Sequence, residues 1–166
     1  MKPTGFFAAR AVTGRNSPRD YFDYPILAVS FAVFRAGRVL LTRRARPPFK
    51  GAFSLPGGLV EAGETLEDAA LRELREEVAV DARIVAFNQY VESIDRDSSG
   101  KIRHHYVIAS FAGEWIAGKA KPGPEASEAV WAMPSSLAAF DCTPHLMTVV
   151  EAAENLLNAR CRADHF

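Results

Sequence analysis

The sequence predicts an α/β domain in which a mixed, curved β-sheet lies between helices. Predicted strands come first, and a helix, further strands and a second helix follow, an order that indicates helices packed on a sheet. Ile26 to Phe34 is almost wholly apolar and rich in β-branched and aromatic residues, as expected of a strand covered on both faces. Two later stretches repeat apolar residues at helical spacing, which supplies the covering helices.

The elements that follow the first strand are marked by turn residues. A turn at 35–37 leads into a second strand, Val39 to Thr42, so the two form a hairpin. A proline-rich loop at 47–51 and a short strand, Phe53 to Leu55, come next. The Pro-Gly-Gly run at 56–58 is predicted to bend the chain sharply before a helix.

That helix is predicted to begin after Thr65 and to end near Val78. Thr65 is a favourable N-cap, and Glu67 and Asp68 lie in the first turn, where the positive end of the helix dipole favours acids. Its predicted apolar face consists of Ala70, Leu71, Leu74 and Val78.

Three glutamates share one side of this helix. Glu73, Glu76 and Glu77 are spaced i, i+3 and i+4, so they fall within an arc of roughly 100° beside the apolar face. Their mutual repulsion is offset only in part by Arg72 and Arg75, and a hard metal ion would relieve the rest. The pattern indicates a metal site, with a solvated charged face as the alternative.

The second half of the chain is predicted to complete the sheet and add a helix. Segments 82–90 and 106–111 are predicted strands separated by an exposed turn, and 129–132 is a further short strand. Thr143 and Pro144 are predicted as the N-cap and first residue of the C-terminal helix.

Length and composition favour one domain. The 166 residues are divided into an N-terminal arm, 1–24, and a single domain, 25–166; the aromatic residues of the arm, among them Phe6, Phe7 and Tyr21, are expected to pack on the domain or on a partner. No apolar run approaches the ~20 residues that span a bilayer, and no secretory signal is recognisable, so we expect no membrane contact and a cytoplasmic location.

Charge argues against a nucleic-acid partner overall but is unevenly distributed. The 20 basic and 20 acidic residues balance, whereas 35–50 holds six bases and no acid just before the glutamate-rich segment. Arg43, Arg44 and Lys50 are therefore candidate phosphate contacts, with a solvated hairpin rim as the alternative.

The spacing of residues around the helix resembles the signature of the Nudix hydrolases. Gly58 is followed after five residues by Glu64, and after seven more by an Arg-Glu-Leu-x-Glu-Glu run and Val80. Ala79 stands where the family usually has glycine, and we expect its cost in the terminal helical turn and not in metal binding. The resemblance extends over roughly residues 25 to 158 and implies an α/β/α sandwich.

The resemblance also implies a metal-dependent diphosphate hydrolase. Such enzymes cleave a nucleoside diphosphate linked to another group, using divalent metal ions, here Mg²⁺ with Mn²⁺ as the alternative. The implied metal ligands are Glu76 and Glu77, with Glu73 as a ligand or the base and the Gly58 carbonyl as a further oxygen, and Arg72 holds a glutamate in position.

The general base stays open among Glu73, Glu125 and Glu128, and the two loop glutamates have ordinary solvated residues as their alternative interpretation. The overall sequence is nearest to small bacterial ADP-ribose pyrophosphatase-like members, which implies ADP-ribose or a related nucleotide sugar as substrate. The alternatives are a (d)NTP pyrophosphohydrolase and a non-catalytic nucleotide-sensing domain. Nucleic acid is not expected as a partner, a homodimer is left open, and Phe53, Tyr90 and Phe111 either stack on a base or belong to the core.

Overall fold

The computed structural model describes residues 21–163 of the chain. Within that range the chain forms seven strands, two α-helices and one short 3₁₀-helix. In chain order they are β1 (Ile26–Arg35), β2 (Arg38–Arg44), β3 (Phe53–Ser54), β4 (Gly57–Leu59), α1 (Leu66–Val78), β5 (Asp81–Arg96), β6 (Ile102–Ala117), β7 (Ala126–Ala132), the 3₁₀-helix (Pro134–Ala139) and α2 (Leu146–Ala163).

The sheet is mixed, as predicted, with the order β3-β2-β1-β6-β5. β1 and β6 run parallel, and the other paired strands are antiparallel. β1 pairs directly with β2 only next to their turn, at Phe34↔Val39 and Arg35↔Arg38. Farther from the turn β4 pairs with β1, while β7 and β3 pair with β2. This divergence positions the Gly57–Gly58 turn beside the middle of β1.

Each face of the sheet is covered by one helix. Val29, Phe31 and Val33 of β1 join the core under α1, whereas Ala32 and Phe34 join the core under α2. The alternation follows from the two-residue period of a strand, and it explains why β1 is apolar along its whole length. The predicted α/β/α sandwich is therefore confirmed.

The two ends of α1 are as the sequence predicts. Thr65 is extended, and its hydroxyl oxygen accepts a hydrogen bond from the Asp68 N–H at 3.1 Å. Ala79 caps the C-terminus in the left-handed region, at φ 55°, and donates its N–H to the Arg75 carbonyl at 3.0 Å. The buried face of α1 differs from the predicted apolar face, because Ala69 is fully buried while Leu71 is only half-buried.

Several predicted boundaries are wrong. The predicted bend at 57–58 is part of a strand, β4, which extends to Leu59, and β5 and β6 are each 16 residues long, well beyond the predicted 82–90 and 106–111. α2 begins at Leu146 and not at Pro144, because His145 adopts a left-handed φ of 67° that a regular helix excludes.

Part of the predicted arm lies within the described residues. Tyr21 donates its hydroxyl to the Asp97 carboxylate at 3.0 Å and its N–H to the Arg103 carbonyl at 2.8 Å, so it packs on the tip of the β5–β6 hairpin. The predicted contacts of Phe6 and Phe7 lie outside the described residues. Between residues 21 and 163, none of the helices has both the length and the apolar character needed to span a bilayer.

Candidate active site

Arg72 is the centre of a hydrogen-bond network on α1. Its Nε and Nη2 bind both oxygens of Glu64, at 3.0 and 2.6 Å. Its Nη1 donates to Glu73 at 2.9 Å and to Glu76 at 3.2 Å, and Nη2 also donates to the Leu59 carbonyl at 2.9 Å. All five N–H groups of the guanidinium are therefore used, and one arginine fixes three carboxylates and the end of β4.

Glu64 anchors this network from the loop before α1. Its pKa lies below the usual range, chiefly because Arg72 donates to it and also because the Glu61 N–H does so at 2.6 Å. The same hydrogen bonds raise the pKa of Arg72. The pair stays charged at any physiological pH, so the position of Arg72 does not depend on protonation.

Gly57 and Gly58 allow β4 to lie close to α1. A side chain at Gly57 would collide with the Val29 carbonyl, and one at Gly58 would collide with the carboxylate of Glu73. The Gly57 N–H donates to Glu77 Oε2 at 2.9 Å. Gly57 is therefore required for the close approach of β4 to β1, because its clash is with backbone, whereas a side chain at Gly58 would displace the carboxylate of Glu73.

Glu73 is a half-buried carboxylate with acidic neighbours. Burial raises its pKa, the hydrogen bond from Arg72 opposes that change, and the charges of Glu76 and Glu125 add to the increase. Its environment thus disfavours an additional negative charge and would favour a cation.

Glu77 is more deeply placed. Burial raises its pKa, while the Gly57 N–H favours the anion. The buried Thr42 hydroxyl also favours the anion, although its geometry does not amount to a hydrogen bond. Glu73 raises the pKa of Glu77 by its charge and Arg44 lowers it, so Glu73, Glu77 and Arg44 belong to one electrostatic cluster.

The loop between β6 and β7 is attached to the end of α1. Gly123 donates its N–H to the Glu77 carbonyl at 2.7 Å, and Lys121 donates to the Val78 carbonyl at 3.0 Å. These bonds satisfy carbonyls that a helix C-terminus leaves unpaired. Glu125 follows directly in the chain, so its position is set by the helix that carries the other glutamates.

Glu125 contacts the basic loop that follows β2. Its carbonyl accepts the Ala45 N–H at 3.0 Å, and its carboxylate pairs with Arg46 Nη1 at 3.1 Å in an exposed ion pair. The charge of Glu125 also raises the pKa of Glu73, so the two carboxylates lie within electrostatic range of each other. The sequence analysis did not name Arg46 as a phosphate contact, although its place in the basic segment is a usable signal.

Glu128 and Arg43 lie on the other face of the sheet. They are opposite one another in the β2–β7 register, their side chains approach to 3.8 Å, and Arg43 lies over the Phe53 ring, which belongs to the core under α2. Val130, two residues after Glu128, also packs on that core. The structure thus separates Glu128 and Arg43 from the carboxylates of α1.

The remaining candidates divide by exposure. Phe53 and Phe111 are buried in the core, at 5% and 2% exposure, whereas Tyr90 is 68% exposed. Lys50 is exposed on the loop between β2 and β3. Burial excludes base stacking for the two phenylalanines, so Tyr90 is the accessible member of the predicted aromatic set.

The donor set suits a hard divalent cation. Mg²⁺ takes oxygen ligands and needs only one or two carboxylates from the protein, with water and substrate oxygens completing an octahedron. Burial and mutual repulsion disfavour the anions of Glu73 and Glu77, and a cation would reverse both effects. Within residues 21–163, no three acidic, histidine or cysteine side chains are grouped closely enough to hold a metal ion. The carboxylates of α1 are neighbours, but they do not all point at one common position.

Comparison with known proteins decides the family. Residues 25–152 match the family model of the NUDIX domain. The chain belongs to the Nudix family. Over 106 residues it is 38% identical to the ADP-ribose pyrophosphatase of Methanocaldococcus jannaschii, a match that covers 64% of this chain and 60% of that protein.

Two further Nudix relatives cover more of the chain. The CTP pyrophosphohydrolase of Escherichia coli is 31% identical over 138 residues, which are 81% of this chain and 96% of that protein. The crystal structure of a MutT NUDIX hydrolase from Burkholderia pseudomallei has a TM-score of 0.67 at 26% identity and covers 78% of this chain and 98% of that one. The predicted Nudix hydrolase family and fold are confirmed.

Proposed function

We propose that this Nudix protein hydrolyses the diphosphate linkage of a nucleoside diphosphate derivative, with ADP-ribose or a related nucleotide sugar as its substrate. The observation that carries the proposal is the carboxylate cluster that Arg72 and the Gly57–Gly58 turn hold together on α1. The similarity to the M. jannaschii ADP-ribose pyrophosphatase supports this substrate class.

The proposed metal ligands are Glu73, Glu76, Glu77 and the carbonyl of Gly58. Mg²⁺ or Mn²⁺, when bound, would neutralise the diphosphate and lower the pKa of a coordinated water. Arg72 keeps Glu73 and Glu76 in one orientation, and the Gly57 N–H does the same for Glu77. The protein thereby positions the ligands before the substrate arrives, which lowers the cost of reorganisation.

Substrate phosphates are proposed to meet Arg44 and Arg46. Arg44 influences the pKa of Glu77, and Arg46 pairs with Glu125 at the edge of the same cluster. An exposed ion pair contributes little free energy, so Arg46 can exchange Glu125 for a phosphate at low cost. Arg43 and Lys50 are less favourably placed, since Arg43 lies on the α2 face and Lys50 on an exposed loop.

Glu125 is the proposed general base. Its exchange with phosphate at Arg46 would free a carboxylate close to Glu73, where an attacking water can be deprotonated. We expect Glu125→Gln to lower kcat by about 10²-fold, the usual scale for loss of a general base, and the matched change Glu128→Gln to leave kcat within about twofold. Steady-state kinetics checks both, and small effects from both variants would transfer the role to Glu73.

A nucleoside triphosphate pyrophosphohydrolase is the second candidate. The similarity to the E. coli CTP pyrophosphohydrolase extends over nearly all of that protein, which favours this substrate class independently. Both candidates use the same carboxylates, so they differ in the substrate and not in the metal site.

The deciding experiment is a substrate screen with purified protein and Mg²⁺ or Mn²⁺. ADP-ribose plus water should give AMP and ribose 5-phosphate, measured by chromatography, and Glu77→Gln should lower the rate at least about 10²-fold while circular dichroism shows an intact fold. Cleavage of nucleoside triphosphates alone would establish the second candidate. Unchanged turnover in Glu77→Gln would overturn the metal-site assignment, and binding of ADP-ribose without cleavage would indicate a sensing domain.

A further inference from the structure

A second concave site reaches the end of β1 next to the β1–β2 turn. The cavity has a volume of about 520 Å³, within the range of small-molecule pockets. Its walls are the indole rings of Trp115 and Trp131, the side chains of Arg35 and Lys119, and small residues of the adjoining segments. It opens where α1 no longer covers the sheet, because both indoles pack at the margin of the α1-side core.

The strand register separates Arg35 from the carboxylate cluster. Gly57 and Gly58 pair with Ser30 and Val29 in the middle of β1, whereas Arg35 is the last residue of that strand. Arg35 is five residues after Ser30 along the strand, a distance of roughly 16 Å at about 3.3 Å per residue. A phosphate on Arg35 would therefore lie outside the carboxylate cluster, whereas the Ala129 wall of the cavity extends toward that cluster, since Ala129 is opposite Thr42, which acts on Glu77.

The aromatic surface is preorganised. The Trp115 indole N–H donates to the Gly118 carbonyl at 3.0 Å, and the Arg35 guanidinium lies 4.0 Å from the ring centroid. Trp131 lies on β7 opposite Leu40, which belongs to the core on the α1 side. The indoles offer flat apolar surface, which favours a planar aromatic ring as ligand.

The charges around the cavity are positive. Arg35 and Lys119 line it, and none of its described lining residues is acidic. Arg38 is directly opposite Arg35 in the β1–β2 register, a pairing of like charges that is unfavourable in a sheet. The nearby acid Glu114 pairs with Arg83 at 2.6 Å, so it does not neutralise this group. An anion would.

From these contacts we propose that the cavity is an accessory binding site for a nucleoside monophosphate, with the base on the indoles and the phosphate on Arg35 and Lys119. The loop between β6 and β7 connects this cavity to the proposed active site. Gly118 and Lys119 line the cavity, and the following residues bond to the end of α1 and lead to Glu125.

Intrinsic fluorescence reports directly on this cavity. The chain has two tryptophans, and both line it. AMP added to the full-length protein in the presence of EDTA should change the emission saturably, and adenosine or ribose 5-phosphate alone should need at least about tenfold higher concentrations. Arg35→Gln and Lys119→Gln should each weaken AMP binding about tenfold, the scale of one charged hydrogen bond.

Controls separate this site from the active site and from unfolding. Arg96→Gln removes an exposed arginine at the far end of β5, where it donates to the Gly100 carbonyl, and should titrate like the unmodified protein, as should Glu77→Gln. Equilibrium dialysis with AMP measures binding independently of the indole environment, and circular dichroism verifies each fold. The proposal is overturned if AMP gives no saturable change, if Arg35→Gln and Lys119→Gln both bind it normally, or if Glu77→Gln abolishes the effect.

Discussion

The two faces of the sheet are buried by different means. Under α2 the contacts are mainly apolar, with Val149, Val150 and Ala153 packed on the strands. Under α1 an apolar core is bordered by charged groups that Arg72 and two glycines hold in place. Packing therefore stabilises both faces, whereas hydrogen bonds on the α1 face also fix the geometry of the carboxylates that are proposed to bind metal.

The largest expected effect comes from breaking the α2 face. Leu146 is 4% exposed in the core under α2, and Leu146→Ala should lower the free energy of unfolding by about 3 kcal/mol, because it removes buried apolar surface and leaves a cavity. Urea denaturation measures this change. The turnover rate per folded molecule should be unchanged, and a lower rate at full folding would contradict the proposed division between the faces.

Arg72→Lys tests the α1 face. A lysine cannot reproduce the five hydrogen bonds of the guanidinium, so the carboxylates lose their fixed orientation. We expect kcat to fall by about 10²-fold, which corresponds to about 2.7 kcal/mol in activation free energy.

The matched control for Arg72→Lys is Arg75→Lys on the same helix, where the arginine forms an exposed pair with Asp81. Its kcat should stay within about twofold of the unmodified protein. Equal losses in the two lysine variants would show that the orientation of the carboxylates does not depend on Arg72.

The smallest expected effect lies at the end of α1. Ala79 is held at φ 55°, where an alanine is strained and glycine is not. Ala79→Gly should therefore raise the free energy of unfolding by about 0.5 to 1 kcal/mol with unchanged kinetics. Thermal denaturation checks this, with Ala69→Gly inside the helix as a control of opposite sign. If Ala79→Gly were less stable, the greater conformational entropy that glycine loses on folding would outweigh the relief of backbone strain.

Local rules predict the elements whose residues carry unambiguous signals. The apolar run of β1 and the Thr65 cap are read from residue type and spacing, the left-handed position of Ala79 follows from the Nudix resemblance, and all three are confirmed. The full extent of β5 and β6 is not predicted because the hairpin ends that they add, 91–96 and 102–105, consist mostly of polar residues that do not read as a core strand.

Side-chain direction is the part of the site that local patterns do not determine. Arg43, Arg44 and Arg46 belong to one basic segment, yet Arg43 faces the α2 side while the others face the glutamates. The two-residue alternation of β2 places Arg43 and Arg44 on opposite faces, but the run of basic residues does not reveal which face carries the glutamates. The proximity of Glu125 to Glu73 likewise depends on hydrogen bonds from its loop to α1, which no local pattern encodes.

The attachment of that loop to α1 has a consequence for folding. The carbonyls of Glu77 and Val78 accept hydrogen bonds from N–H groups more than forty residues later in the chain, at Gly123 and Lys121. β1 likewise pairs with β6, which is even farther away in the sequence. Contacts of such long sequence separation form late. During synthesis the segment that forms α1 leaves the ribosome before its partner loop, so we expect the arrangement of the carboxylates to be completed only after that loop has docked.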